Sequence, residues 1–261
     1  MSKKTKIWLI IASLLCFLGM IIFCAVMVYS DWNFMKLSTV EYQNNTHHIS
    51  EEFNSISIKT DTADITFKLS NDEKCKVECY EDEKEKHSVA VQDGTLIINN
   101  INEKSWYEHI GINFASPRIT VYLPKAEYSS LSISESTGDI RIENMSIGEL
   151  DLCVSTGRTY IANTECKNLT SSGSTGDIYL KNVITLDKIN IKRSTGDVGI
   201  EGSDATEIFI KTDTGDVTGN LLSNKVFIAK TDTGSINVPK TTVGGRCEIT
   251  TDTGDIKMKI E

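Results

Sequence analysis

Ser136-Thr137-Gly138-Asp139-Ile140, Ser155-Thr156-Gly157-Arg158, Ser174-Thr175-Gly176-Asp177-Ile178 and Ser194-Thr195-Gly196-Asp197-Val198 are four statements of one pattern. Three more follow, as Asp213-Thr214-Gly215-Asp216-Val217, Asp232-Thr233-Gly234-Ser235-Ile236 and Asp252-Thr253-Gly254-Asp255-Ile256. Their glycines are separated by 19, 19, 20, 19, 19 and 20 residues. A fixed period of this size marks a repeat architecture, in which each unit is too small to bury its own apolar face and must stack on its neighbours.

Alignment on the glycines shows what repeats. Seven residues before each stand Leu131, Leu150, Leu169, Ile189, Ile208, Phe227 and Cys247, and five before stand Ile133, Leu152, Ser171, Ile191, Ile210, Ala229 and Ile249. Two after stand Ile140, Thr159, Ile178, Val198, Val217, Ile236 and Ile256, and four after stand Ile142, Ile161, Leu180, Ile200, Gly219, Val238 and Met258. Apolar residues two apart on both flanks are strands with one buried face. The turn between them uses glycine for its backbone freedom and Asp, Ser and Thr for side-chain bonds to nearby N–H groups. Ile56, Ile58, Thr62, Asp64, Ile65 and Phe67 hold the same offsets around Ala63, which reads as the first coil. The expected fold is therefore all-β: a β-solenoid of roughly eight coils, two strands per coil of about 19 residues, over residues 53–261. Four buried apolar side chains contribute about 6–12 kcal/mol per coil. Ordering the backbone of such a coil costs about 1–2 kcal/mol per residue, so a coil is stable only in a stack.

The spacing from Ala63 to Gly138 is 75 residues, so strands and a loop are inserted at about 69–130. Lys74–Tyr80, Ser88–Gln92, Thr95–Asn99 and Arg118–Leu123 read as strands, the middle two as a hairpin around Asp93-Gly94. Asn100–Ser116, with Trp106, Tyr107, His109 and Phe114, reads as a loop.

Ile7–Tyr29 carries no charge, and as a helix it is about 34 Å long, enough to cross a bilayer. Lys3, Lys4 and Lys6 precede it and Asp31 follows, which places residues 1–6 in the cytoplasm, residues 7–29 in the cell membrane and the rest outside. Residues 30–52 read as a polar extracytoplasmic tether. A cleaved signal peptide is the rival reading, but Val26-Met27-Val28 offers no small-residue cleavage site. Leu15 before Cys16 and Phe23 before Cys24 are too large for a lipid-attachment motif. Without the three leading lysines the chain has 24 Lys+Arg against 36 Asp+Glu, a formal charge of −12, which disfavours nucleic acid and anionic wall polymers as partners. Five cysteines lie outside the helix, an odd number at irregular spacings that does not resemble a disulfide framework.

Candidate chemistry is sparse. Asp139, Asp177, Asp197, Asp216 and Asp255 form a ladder, with Asp213, Asp232 and Asp252 making its end denser. Turn capping explains these carboxylates better than calcium, whose glycine-rich nine-residue repeat is missing. Cys75, Cys79 and His87 suggest zinc, but four residues along a strand separate the two sulfurs by about 13 Å, too far for one tetrahedral ion. His47-His48 reads as solvated tether. Tyr160 and Tyr179 share an outward column, as do Phe209 and Ile228; cross-strand packing accounts for both, and sugar stacking is the functional alternative. No catalytic, cofactor-binding or metal residue is assigned, since no nucleophile elbow, phosphate loop, zincin helix or dinucleotide fingerprint occurs.

The strand Ile119-Thr120-Val121-Tyr122-Leu123-Pro124, then Leu131-Ser132-Ile133, then the iterated Ser/Asp-Thr-Gly-Asp-Ile/Val resembles the bacterial putative-adhesin family of β-strand-repeat proteins, LiaG-like membrane proteins among them. The resemblance covers about residues 53–261 and implies a membrane-anchored or secreted β-solenoid. Arg158 and Ser235 depart from the Asp position. The leading expectation is a non-enzymatic, adhesin-like surface protein whose faces bind a protein or envelope ligand. The alternatives are an envelope-stress sensor working through a partner in the membrane, or a glycan-active β-helix enzyme. Self-association as a homo-oligomer is expected through the strand edge of the last coil, around Met258.

Overall fold

The computed structural model describes residues 2–33, 36, 40–102 and 115–261. Residues 103–114, with Trp106, Tyr107, His109 and Phe114 of the expected loop, lie outside the described residues. The chain divides into two units: Met1–Glu41 with Lys104–Ala115, and Tyr42–Glu103 with Ser116–Glu261. The first contains one helix, α1 (Lys3–Tyr29), which starts four residues earlier than the apolar run. Ser2 caps it, its Oγ accepting the Thr5 N–H at 3.2 Å. With 27 residues and a mean hydropathy of 2.9, α1 is long and apolar enough to cross a membrane.

The second unit is all strand. In chain order these are β1 (Tyr42–Ile49), β2 (Ser55–Thr62), β3 (Asp64–Leu69), β4 (Cys75–Asp82), β5 (Glu85–Gln92), β6 (Thr95–Asn102) and β7 (Arg118–Leu123). The repeats then supply β8 (Glu127–Thr137), β9 (Ile140–Glu143), β10 (Ser146–Thr156), β11 (Thr159–Thr175), β12 (Ile178–Thr195), β13 (Val198–Ser203) and β14 (Glu207–Thr214). Last come β15 (Val217–Leu221), β16 (Lys225–Thr233), β17 (Ile236–Asn237), β18 (Gly245–Thr253) and β19 (Ile256–Ile260).

Strands before the turns stack in parallel in one row and those after the turns in a second, with β11 and β12 long enough to run through both. The register is that of the repeat: Leu131 lies beside Leu150, Leu150 beside Leu169, Leu169 beside Ile189, and Ile189 beside Ile208. All five are buried, as are Ile140, Ile178, Val198, Val217 and Ile256 of the second row. The inserted strands overlap the expected ones, but β5 begins three residues earlier, at Glu85, and β6 runs through Asn102 into the expected loop; Asp93 and Gly94 take φ of 48° and 71° in the hairpin turn.

Three features differ from a plain succession of coils. First, the pairings close on themselves. β6 and β7 add parallel rungs beside β2 and β3, and β5 and β4 pair antiparallel with β6 and β7. β4 also meets β5, so β4, β5, β6, β2, β8, β10, β11, β9, β3 and β7 form a closed mixed barrel to which the other strands are added. Second, the tether is not a tether throughout: Tyr42–Ile49 pairs antiparallel with Cys75–Asp82, because Asn45, His47 and Ile49 alternate inward against Cys79, Val77 and Cys75. Third, the final two repeats exchange places. β14 pairs with β18, and β18 in turn with β16; likewise β19 lies between β15 and β17. The outer strand is therefore β16, which covers β18 of the last coil, while β17 covers only Ile256 and Lys257 of β19, so the free edge expected at the last coil narrows to residues 258–260, which pair with β15 alone.

The turn glycines are packed as well as permissive. A Cβ on Gly157, whose φ is 143°, would stand 1.9 Å from the Gly138 carbonyl oxygen. Ala63 holds the same row without a positive φ, its carbonyl oxygen 2.1 Å from where a Cβ on Gly138 would stand. A column that the alignment overlooked, three residues before each glycine, also points inward. Thr212, Thr251 and Thr231 there donate to the carbonyls of Gly196, Gly215 and Gly254 at 3.2, 3.1 and 3.0 Å, tying each turn to the next.

Candidate functional site

On the outer face of the second row, one position beyond each inward residue, Thr66, Arg141, Tyr160, Tyr179 and Gly199 stand side by side. The Arg141 guanidinium lies 4.5 Å from the centre of the Tyr160 ring. Tyr179 lies across Gly199, where a Cβ would come within 2.5 Å of its ring, and its hydroxyl donates to Asp177 Oδ2 at 3.3 Å. Arg158 sits at the turn above, its Nη2 2.7 Å from Asp139 Oδ2. With Arg118 these residues line a groove of about 380 Å³. Three of the chain's five arginines thus converge beside two tyrosines in a protein of net charge −9. Two of the guanidinium groups are already paired, Arg141 with Glu143 at 2.9 Å and Arg158 with Asp139, and Asp64 and Asp139 line the same groove, while the rings offer a flat face. The Tyr160–Tyr179 column expected from the sequence is present; the arginines beside it were not foreseen, since Arg118 comes from the insertion and Arg158 was noted only as a departure from Asp.

The Phe209–Ile228 column is not a pair. The exchanged repeats put Glu248 between them, opposite Phe209 on one side and Ile228 on the other. Phe209 instead has Lys188 at 4.9 Å and Arg246 at 5.4 Å from its ring centre.

The Asp ladder is a run of caps. Asp64 accepts the Asp139 N–H, Asp139 the Arg158 N–H, Asp177 the Asp197 N–H and Asp197 the Asp216 N–H, at 2.8–3.0 Å. Asp216 accepts from Asp255, and Asp255 from Ser235, at 2.7 and 2.8 Å. Each carboxylate serves the next rung, so Ser235, on the outer rung, occupies the one repeat with no following turn to cap. Burial pushes the Asp139 carboxyl up, but the Arg158 N–H and guanidinium outweigh it and hold it below its usual range. Lys257 and the Ser235 N–H bring Asp255 down to about 2. At the return corner a second ladder, unforeseen, joins Asn163 to Asn144 and Asn182 to Asn163 at 3.2 and 3.0 Å, with φ of 58°, 47° and 51° along Asn144, Asn163 and Asn182.

A separate polar cluster is buried in the β4–β5 hairpin. Glu81 Oε2 is 2.7 Å from His87 Nδ1 and accepts the His87 backbone N–H, also at 2.7 Å. Asn45 of β1 donates to Glu81 Oε1 at 2.6 Å, and Thr60 Oγ1 lies 3.2 Å from His87 Nε2. Burial raises Glu81, but the His87 and Asn45 hydrogen bonds outweigh it and hold the carboxyl low. Burial and then the Glu81 charge push the Cys79 thiol up to about 12. Cys75 belongs to the same strand face but sits opposite Ile49, at the far end from the cluster. His47 is half-buried in β1 rather than solvated. All seven cysteines are free thiols.

Stacked parallel rungs capped by side-chain ladders and joined by Thr-Gly turns define a β-repeat protein. Residues 53–261 match the family model described as Toastrack DUF4097, and the chain belongs to that family. A crystal structure from Bacteroides fragilis, described as a putative adhesin, superposes with a TM-score of 0.50 at 20 % identity over 85 % of this chain and 97 % of that one. A putative cell adhesion protein from Clostridium sporogenes has a TM-score of 0.40 at 13 % identity, over 85 % and 100 % of the two chains. A putative lipid binding protein from Parabacteroides distasonis has a TM-score of 0.41 at 14 % identity, over 86 % and 98 %. No curated protein sequence matches the chain.

Proposed function

We infer that the chain is a membrane-anchored surface-binding protein, adhesin-like and non-enzymatic, that takes its ligand in the Arg118–Arg141–Arg158–Tyr160–Tyr179 groove. Its stacked rungs make a short β-solenoid, sealed on one side by the antiparallel β1, β4 and β5, and displayed outside the cytoplasm by α1. The lysines in the first turn of α1, ahead of its apolar run, support that orientation. The Bacteroides structure with the same fold, described as an adhesin, supports the class. The observation that carries the reading is the groove itself, where three arginines meet two tyrosines beside Asp64 and Asp139 and the Tyr179 ring is exposed. An acidic oligosaccharide has the matching chemistry: a sugar face for the rings and a carboxylate for the guanidinium groups.

The full chain in detergent, applied to an array of acidic and neutral oligosaccharides, tests this. Acidic glycans are expected to bind, and the Tyr160→Ala/Arg141→Ala double variant to lose at least tenfold in affinity, about 1.4 kcal/mol. Turnover of a glycan that single Asp substitutions abolish, or binding that ignores the double variant, overturns the reading.

A further inference from the structure

The geometry points to a transition-metal site of the zinc class formed by Cys79, Glu81 and His87, with water in the fourth position. One ligand atom from each of the first three lies within 4.8 Å of those of the other two, and all three residues are buried. They come from one hairpin: Cys79 and Glu81 are two apart on the inward face of β4, and β5 returns His87 against them. The donor set is thiolate, carboxylate and imidazole, which is borderline-soft and matches zinc rather than calcium or magnesium. With bonds of about 2.0–2.3 Å, tetrahedral ligand atoms stand roughly 3.3–3.8 Å apart, so His87 Nδ1 and Glu81 Oε2, now 2.7 Å apart, must part slightly while the widest separation, at most 4.8 Å, closes by up to about 1 Å. Charge favours it too. One dication with one thiolate and one carboxylate is neutral, the form in which ions tolerate burial.

The supporting shell is in place. The metal would sit between His87 Nδ1 and Glu81 Oε2, which now share a hydrogen bond. The imidazole proton then resides on Nε2, where the Thr60 hydroxyl oxygen at 3.2 Å accepts it. Asn45 and the His87 N–H continue to hold Glu81. Partners of this kind fix the tautomer and orientation of metal ligands. The Cys79 thiol loses its proton to solvent on binding. His47 Nε2 is also buried with no hydrogen-bond partner among the described residues, but it lies outside the group of three, so water completes the set. The Cys75–Cys79 separation along β4 still excludes Cys75, whereas Glu81 joins the set because the hairpin brings it against His87.

Cobalt(II) titrated into the full chain in detergent reads the site directly. One equivalent is expected to give the thiolate-to-cobalt charge-transfer band and visible tetrahedral bands, both bleached by zinc. Cys79→Ser abolishes the charge-transfer band, whereas Cys75→Ser keeps it, and Thr60→Val weakens zinc by roughly 10–100-fold while the band persists. Saturating zinc on the unaltered chain also releases about one proton, a measurement that needs no variant to fold. Absence of the band in the unaltered chain, its survival in Cys79→Ser, or binding without proton release overturns the site. None of these results bears on the glycan groove.

Discussion

Glu135 is the most instructive single residue. It occupies the inward column three before the turn glycine, beside Thr60, and only 3 % of it is exposed. Its Oε1 accepts the N–H groups of Ala63 and Thr137, both at 3.2 Å, while Oε2 is buried with no hydrogen-bond partner among the described residues. Burial drives its pKa from 4.5 to about 7, against the pull of those two N–H groups. The folded state therefore holds a proton that the unfolded chain has released between these two values, so stability falls as pH rises from about 4.5 to 7 and is flat above. Glu135→Gln keeps an acceptor for both N–H groups and removes the charge. It is expected to be more stable than the parent by roughly 2–3 kcal/mol at pH 8, with the difference shrinking toward pH 5; urea unfolding at the two pH values checks this. The residue was invisible to periodicity, because that column reads Thr, Glu, Val, Gly, Arg and Thr and has no single chemistry. Buried Arg193 in the same column, reaching Ser171 Oγ at 2.9 Å across the small Gly173, escaped notice for the same reason.

At the scale of elements, the strand–turn–strand unit was fully legible, since aliphatic residues two apart on each side of a turn glycine leave a half-buried strand no other register. What the ladder carboxylates bind was legible in kind and not in partner. The sequence places an Asp after the glycine, but only stacking shows that Asp197 caps the turn of the next rung rather than its own. Asp216→Ala therefore leaves the Asp255 N–H without its acceptor and is expected to cost about 1 kcal/mol. Asp216→Asn keeps an oxygen there and is expected to cost less than half as much. Thermal unfolding of the two variants, with and without calcium, separates capping from metal binding: calcium leaves both and the parent unshifted. The β4–β5 cluster was hidden because its members are joined by a hairpin pairing, whereas the sequence showed only two cysteines too far apart on one strand.

For the whole molecule, the repeat predicted the stack and missed its order. Residues 211–215, 230–234 and 250–254 read Lys-Thr-Asp-Thr-Gly, Lys-Thr-Asp-Thr-Gly and Thr-Thr-Asp-Thr-Gly, so nothing local distinguishes which rung follows which. The composition of the rungs carries the clue: Cys247, Ile249, Ile256 and Met258 suit an interior rung, and all four are at most 2 % exposed, whereas the matching Phe227 and Ala229 are half-buried and Ile236 is 46 % exposed on the outer one. Ending the chain after Lys240 would thus remove an inner rung, expose the β14–β15 face and strand β16. It is expected to destabilise the protein far more than Ile228→Thr, by several kcal/mol, since four buried side chains are lost at about 1.5–3 kcal/mol each; limited proteolysis of the two variants against the parent measures it. The exchange also has a consequence for biosynthesis. A chain emerging from the ribosome offers β16 to a bare β14 before β18 exists, and the matching turn lets it settle there. Reaching the native arrangement then requires that provisional partner to peel away and admit the later segment, an editing step at one end of the molecule that none of the earlier repeats has to undergo.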